Sequence, residues 1–368
     1  MLPDAAPDRE PETWPGSSEV VVPGSGSSGS SESGLDPAYE YVARLAVIDA
    51  QAAEDALAPS TREAYRRAWE VFEGWAANNS LMALPATAST VRAFVAHLRD
   101  RPVPASLPTI NQHLSAIWAR HADLGLPSAR QDGQLRLRLQ GYARQDQERL
   151  VRQMSALMVR DVQRIVSVMD EDLQQARREL DDERAVRKTQ LLCARDKAVI
   201  LVGLATAMRR SELARLEVAD LREDVEGLVI TPRWTKRDQA GTERNPRAVP
   251  RGAARATCPV SAVQHWLSLA GIDAGPLFRP VTRWGTVGPR GFTPQVIRTI
   301  VQQRAEAAGL PGTWGAHSLR AGFATQSAKN GVARHVIMAD GDWRSAAVDR
   351  YMRRGALWDG AAAKSLGL

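Results

Sequence analysis

Cysteine is almost absent from this chain. Cys193 and Cys258 are the only two among 368 residues; they cannot build a disulfide framework, and they lack the spacing of a zinc site. Aromatic residues make up only 5% of the sequence, and tryptophan supplies 10 of them. Tyrosine is scarcest in the second half, where it occurs once after residue 150, at Tyr351. Long apolar runs are missing too. The longest, Ala198 to Met208, is interrupted by Gly203 and Thr206 and falls short of the roughly 20 residues a membrane helix needs. The opening residues MLPDAAPDREPE show no basic stretch followed by an apolar one, so no secretory signal is expected. No Walker-type glycine-rich loop is present to hold a nucleotide. These absences predict a soluble cytoplasmic protein that does not bind membranes and needs neither cofactor nor metal.

What is abundant is charge, unevenly placed. The net charge is +6, yet residues 1–57 carry 11 acidic side chains and two basic ones. Residues 151–368 carry 34 basic and 23 acidic side chains, and between Arg233 and Arg304 the ratio is 12 to 3. A basic body behind an acidic head fits a polyanionic partner, most often nucleic acid; a solvated basic surface is the plain alternative.

Taken in order, residues 1–35 are rich in Pro, Ser, Gly and Glu and hold too little apolar surface to offset the entropy of ordering, so disorder is expected there. Tyr41, Leu45, Ile48 and Ala52 recur at helical spacing and predict a helix within 36–57. Residues 58–147 read as a helical bundle. Its first helix opens at Ser60, with Glu63 completing a capping box, and places Tyr65, Trp69, Phe72 and Trp75 on one face. A second spans 89–98 with Val91, Phe94, Val95 and Leu98 inward. A third spans 109–124, with Ile110, Leu114, Ile117 and Trp118 inward and Asn111, Gln112 and His113 outward. A shorter fourth covers 132–147. Arg62, Arg66, Arg67, Arg92 and Arg120 decorate this bundle as candidate DNA contacts, with Arg237 a further one downstream.

A linker at 148–156 leads into a second domain, 157–368. Helices are expected at 159–169 and 194–217, separated by a polar stretch of mixed sign. Short β-type runs follow at 221–225, 228–231 and 248–250. Helices return at 259–270, 293–309, 317–329, 332–339, 345–353 and 358–366. The fold class is mainly α, with a small antiparallel sheet in the second domain.

Five places in 151–368 could act on a phosphate. Arg209 ends a helix in AMRRSEL, and Lys236 lies in the turn between two expected strands. His317 and Arg320 stand one helical turn apart and share a face. Trp343 follows a turn, and Tyr351 lies on the next helix. Phosphoryl transfer demands an in-line nucleophile and charge stabilisation at the phosphate oxygens. Arginine forks suit those oxygens, and a tyrosine hydroxyl can be the nucleophile where cations or a base help it ionise. Each signal alone has a plain alternative: surface pairs for His and Arg, packing for Trp and Tyr.

The order and flanks of these residues resemble the catalytic domain of the tyrosine recombinases, the phage integrase family. MRRSEL resembles the first arginine box, with Arg209 and the supporting Glu212. Lys236 in WTKRDQAG matches the hairpin lysine, HSLRAGFAT gives His317 and Arg320, GDWRS gives Trp343, and VDRYMRRG gives Tyr351. The resemblance spans about 190–355, and the bundle before it looks like the family's core-binding (SAM-like) domain. It implies metal-free cleavage and rejoining of double-stranded DNA at specific core sites, through a 3′-phosphotyrosine at Tyr351. It also implies a homotetramer on two sites, coupled by exchange of the C-terminal helix, and association with the nucleoid when bound to DNA. A type IB topoisomerase-like relaxase and a catalytically idle DNA-binding homologue are the rival readings. Two departures stand out. Trp343 and Tyr351 are eight residues apart where nine are expected, and Asp342 sets a carboxylate beside the pocket. Facing inward, that carboxylate would weaken phosphate binding.

Overall fold

The computed structural model describes residues 58–147, 154–233 and 245–355, and ahead of them Tyr41, Arg44, Leu45, Val47 and Ile48, all helical and exposed. The expected disordered head, most of the linker, Lys236, Arg237 and the helix at 358–366 lie outside the described residues. The chain divides into two compact units, residues 1–131 and 132–368.

Among the described residues from 58 on, the first unit is built on α1 (Pro59–Asn78), α2 (Ala88–Arg99) and α3 (Leu107–Asp123). Phe72, Phe94, Leu98, Ile110 and Ile117 are wholly buried between them, each contributing roughly 1.5–3 kcal/mol by leaving water. Phe72 and Phe94 meet edge to face with centroids 5.0 Å apart, and Trp75 lies 5.2 Å from Phe94. Two details differ from the sequence reading. Ser60 is not the N-cap: Pro59 occupies the first turn behind Ala58, which makes no side-chain cap. Proline's fixed φ already suits that position, and Glu63 instead accepts from Arg66 and Arg67. His113 does not face outward. It is buried and its Nδ1 bonds the Ala68 carbonyl at 3.1 Å, which satisfies the ring inside the core.

The second unit takes in α4 (Gly133–Gln147), which the sequence pattern groups with the bundle. It continues with α5 (Val159–Glu179) and α6 (Glu183–Thr206). The polar stretch expected between helices is therefore mostly helix, broken only at 180–182, where Asp182 caps α6 by accepting from the Arg184 N–H at 2.9 Å. Helix α6 is the hub, with Leu191, Ala198, Val199, Ile200 and Val202 buried on several sides of it and α5, α8 and α10 packed around it. It stops at Ala207, whose left-handed φ of 49° ends the helical path, and the chain resumes as the short α7 (Arg210–Ala214). The expected single helix over 194–217 is thus two, joined by a turn.

Strands β1 (Leu221–Glu223), β2 (Gly227–Ile230) and β3 (Arg247–Pro250) form an antiparallel sheet in that order, with Ile230 opposite both Leu221 and Arg247. Then come α8 (Pro259–Ala270), α9 (Pro294–Ala307), α10 (Ala316–Lys329), α11 (Arg334–Asp340) and α12 (Asp349–Gly355). Gly322 lets α10 lie against the segment before α5, because a Cβ there would sit 1.9 Å from the Leu157 carbonyl oxygen. A small satellite core of Ala324, Ile337 and Val348, with Phe323, Trp343 and Tyr351 against it, holds α11 and α12 to α10. Both cysteines are free and buried. Among the described residues no helix is long and apolar enough to cross a membrane.

Candidate active site

The sharp turn after α6 delivers Arg209 to the N-terminus of α7, where Glu212 fixes it twice. One carboxylate oxygen accepts the Arg209 backbone N–H at 3.0 Å and the other accepts from Nη1 at 2.7 Å. Glu212 is 1% exposed, so its charge is committed to arginine rather than to solvent. Burial opposes the charge on Arg209, but its hydrogen bonds to Asp342 and Glu212 outweigh it and raise the pKa.

Helix α10 supplies the next two groups. Arg320 is buried and donates to the Ala207 carbonyl, one of the orphan acceptors at the end of α6. Its guanidinium carbon lies 4.1 Å from the Trp343 ring centroid, and Trp343 stacks in turn on Phe323. Burial, with the like charge of Arg209, pushes the Arg320 pKa down to about 10, which leaves it charged at neutral pH. One turn earlier, the His317 Nε2 hydrogen-bonds the Tyr351 hydroxyl, with the two rings edge to face. Partial burial lowers the His317 pKa below 6.5, and Arg320 and Arg350 push the same way.

Tyr351 reaches this place despite the eight-residue step from Trp343. The chain passes through a 3₁₀ turn at Ala346–Val348 straight into α12. Thr325 of α10 then donates to the Tyr351 carbonyl at 3.3 Å, and Arg334 pairs with Asp349 at 2.7 Å. Gly341 permits the preceding turn, because a Cβ there would collide with the Trp343 ring at 1.7 Å. Asp342, at a left-handed φ of 53°, turns its carboxylate inward. Its Oδ2 accepts from Arg209 Nη1 at 2.7 Å and its carbonyl from Nη2 at 3.2 Å.

Together Arg209, His317, Arg320 and Trp343 line an open cleft of about 400 Å³, with Arg210, Arg298 and Ser345 at its border. The cleft can hold an anion between two arginines, with a hydroxyl nucleophile and a neutral imidazole at its side. Among the described residues no three or more His, Cys, Asp or Glu side chains gather as a metal site would need. Lys236 and Arg237 are outside the described residues. Arg62, Arg66, Arg67, Arg92 and Arg120 all belong to α1–α3 of the other unit. There Arg66 and Arg67 are exposed and paired with Glu63, Arg62 and Arg92 are half-buried and partnered, and Arg120 is exposed.

Three cations escaped the sequence reading. Arg210 and Arg298 are exposed at the cleft and carry no local pattern that marks them. Arg247 is different: it opens β3 and is 5% exposed. Alternation along Arg247-Ala248-Val249-Pro250 puts it on the inward face with Val249. A charged residue at an inward strand position is a signal that could have found it.

Comparison with known proteins gives the family. Residues 178–355 match the phage integrase family, and residues 51–122 match the phage integrase N-terminal SAM-like domain. An integrase/recombinase xerD homolog from Selenomonas ruminantium is 28% identical over 320 residues, covering 86% of this chain and 87% of that protein. Recombinase cre of Escherichia phage P1 is 23% identical over 293 residues, covering 75% and 78%. In fold, a fragment of the Tn1549 transposon integrase solved with transposon right end DNA aligns over 85% of this chain and 94% of its own, with a TM-score of 0.54 at 16% identity. The chain belongs to the phage integrase family of tyrosine recombinases. It is accordingly an enzyme of site-specific recombination, one that cleaves and rejoins DNA strands.

Proposed function

We propose that Tyr351 attacks the scissile phosphate of double-stranded DNA at a specific core site, with Arg209 and Arg320 holding the non-bridging oxygens and the Trp343 indole closing the pocket. The tyrosine oxygen bonds phosphorus as the bond to the 5′-oxygen breaks, leaving a 3′-phosphotyrosine and a free 5′-hydroxyl. The observation that carries this reading is the Tyr351–His317 hydrogen bond at the edge of the arginine cleft. With its proton on Nδ1, the imidazole accepts the phenolic hydrogen at Nε2, and its lowered pKa keeps it neutral for that task. Glu212 orients Arg209 from behind, and Lys236 protonates the leaving 5′-oxygen. Attack by the 5′-hydroxyl of a second duplex reverses the step, so the phosphotyrosine conserves the bond energy. Arg62, Arg66, Arg67, Arg92, Arg120 and Arg237 contact the DNA backbone. Four protomers act on two sites, coupled by the segment after α12.

A nicked suicide substrate carrying the cognate site tests this. Wild-type protein should form a protease-sensitive covalent adduct, and Tyr351→Phe none. Lack of an adduct on any cognate site overturns the reading, and supercoil relaxation independent of site would point to a topoisomerase instead.

A further inference from the structure

Arg247 makes contacts that the chemistry above does not use. Its Nη1 donates to the Thr206 carbonyl at 2.7 Å and also to the Asp340 carbonyl. Its Nη2 lies 3.9 Å from Glu212 Oε2. The acceptors come from three separate places: the last turn of α6, the last turn of α11, and α7. Thr206 stands three residues before Arg209, and Asp340 three before Trp343. One buried guanidinium therefore ties together the two turns that lead to Arg209 and Trp343, and it backs the carboxylate that orients Arg209.

The residue type matters. A planar fork with five N–H donors can serve acceptors on separate segments at once, whereas a lysine ammonium is a point charge that cannot keep the same directions. Both carbonyls end helices, where free acceptors and the negative end of the helix dipole favour a cation. Burial of that cation is costly, and Arg209 repels it, although Glu212 and Asp342 attract it. Apolar residues of similar volume often match or exceed the stability that such a buried ion gives. Stability alone thus gives little reason for an arginine here, while the distance between two turns does.

We infer that Arg247 is a positioning residue for DNA cleavage, setting the separation of Arg209 and Trp343 without touching the substrate. The inference rests on the assignment of the cleft as the phosphate site. It differs from that assignment in what it predicts, since Arg247 acts on the rate of the folded, DNA-bound enzyme and not on DNA affinity.

The test uses full-length Arg247→Lys and Arg247→Met in single-turnover cleavage of the suicide substrate at saturating DNA. Thermal melting and binding to uncleaved DNA are measured beside it, the latter in a Tyr351→Phe background. Wild-type protein is assayed first: if it forms no adduct, the phosphate-site assignment itself fails and the inference falls with it. Given wild-type cleavage, Arg247→Lys should melt as a folded protein and bind DNA within ~3-fold of the parent. Its plateau cleavage rate should fall by ~10²-fold, the cost of displacing a reacting group by about 1 Å. Arg247→Met should cleave no faster than Arg247→Lys. A wild-type plateau in the folded lysine variant overturns the inference. So does a loss of cleavage that merely tracks lost folding or lost binding, or the failure of both variants to fold, because each would make Arg247 a stability element only.

Discussion

The arginines of the cleft and those of the N-terminal helices are held in opposite ways. Arg320 is buried against a backbone carbonyl and a tryptophan ring, and Arg209 is gripped by Glu212 and Asp342. Arg66 and Arg67 are exposed and paired with glutamates one turn away on their own helix. Pairs of the second kind contribute little, are screened by salt, and let go easily when a phosphate offers itself. Groups of the first kind are held by the fold before substrate arrives, so apart from the Asp342 carboxylate on Arg209 nothing need reorganise as charge develops in the transition state. Under the proposed function the two groups would divide the work: the cleft would set how fast the bond breaks, and the exposed helix arginines how well DNA is held.

Breaking the cleft should give the largest effect. Arg320→Ala or Arg209→Ala should lower single-turnover cleavage by at least ~10²-fold, the usual cost of removing one oxyanion donor; near-wild-type cleavage in either would undo the assignment of that arginine. Next comes the proton acceptor. In the proposed role His317 would work only when neutral, and burial holds its pKa below the usual 6.5. Cleavage should therefore hold from pH 8 down to 6.5 and decline only further into acid, and His317→Gln should lose that decline. A fall centred above 6.5 in the wild type would contradict the role.

A smaller effect, of opposite sign, belongs to Asp342. Its carboxylate faces inward and takes the same Nη1 that a phosphate oxygen would use. Asp342→Asn, which tolerates the left-handed backbone, should raise cleavage by up to ~10-fold, about the worth of one hydrogen bond to a charged group. Slower cleavage would mean that the aspartate orients Arg209 instead of competing for it. Smallest of all, Arg66→Ala or Arg67→Ala should weaken DNA binding a few-fold. Each should reduce the slope of log K against log salt by about 1, with the cleavage plateau unchanged. An altered plateau with unaltered binding would reverse the contrast.

Much of this was legible in the sequence because it is written in local pattern. The apolar periods of α1–α3 name their own core, and the strands come out within two residues of the expected β-type runs. The motifs single out Arg209, His317, Arg320, Trp343 and Tyr351; four of them line one cleft, and the fifth, Tyr351, bonds one of those four, His317. What escaped depends on contacts across the chain. The direction of Asp342 follows from the φ of one turn, and no spacing encodes it. His113 looked solvent-facing because it is polar, yet a carbonyl 45 residues away accepts it into the core. Arg247 is a charge whose acceptors lie 41 and 93 residues distant, so only its inward strand position hinted at it. Ser60 failed as a cap for a local reason, since the proline before it had already begun the helix.

The central claim is that Tyr351 becomes joined to DNA within this cleft. Digesting the trapped adduct with trypsin and sequencing the DNA-linked peptide by mass spectrometry tests it most directly. The account predicts one modified peptide, with nucleotide attached to Tyr351 through a 3′-phosphate and a 5′-hydroxyl on the released strand. Attachment to any other side chain, or a link through a 5′-phosphate, would contradict it.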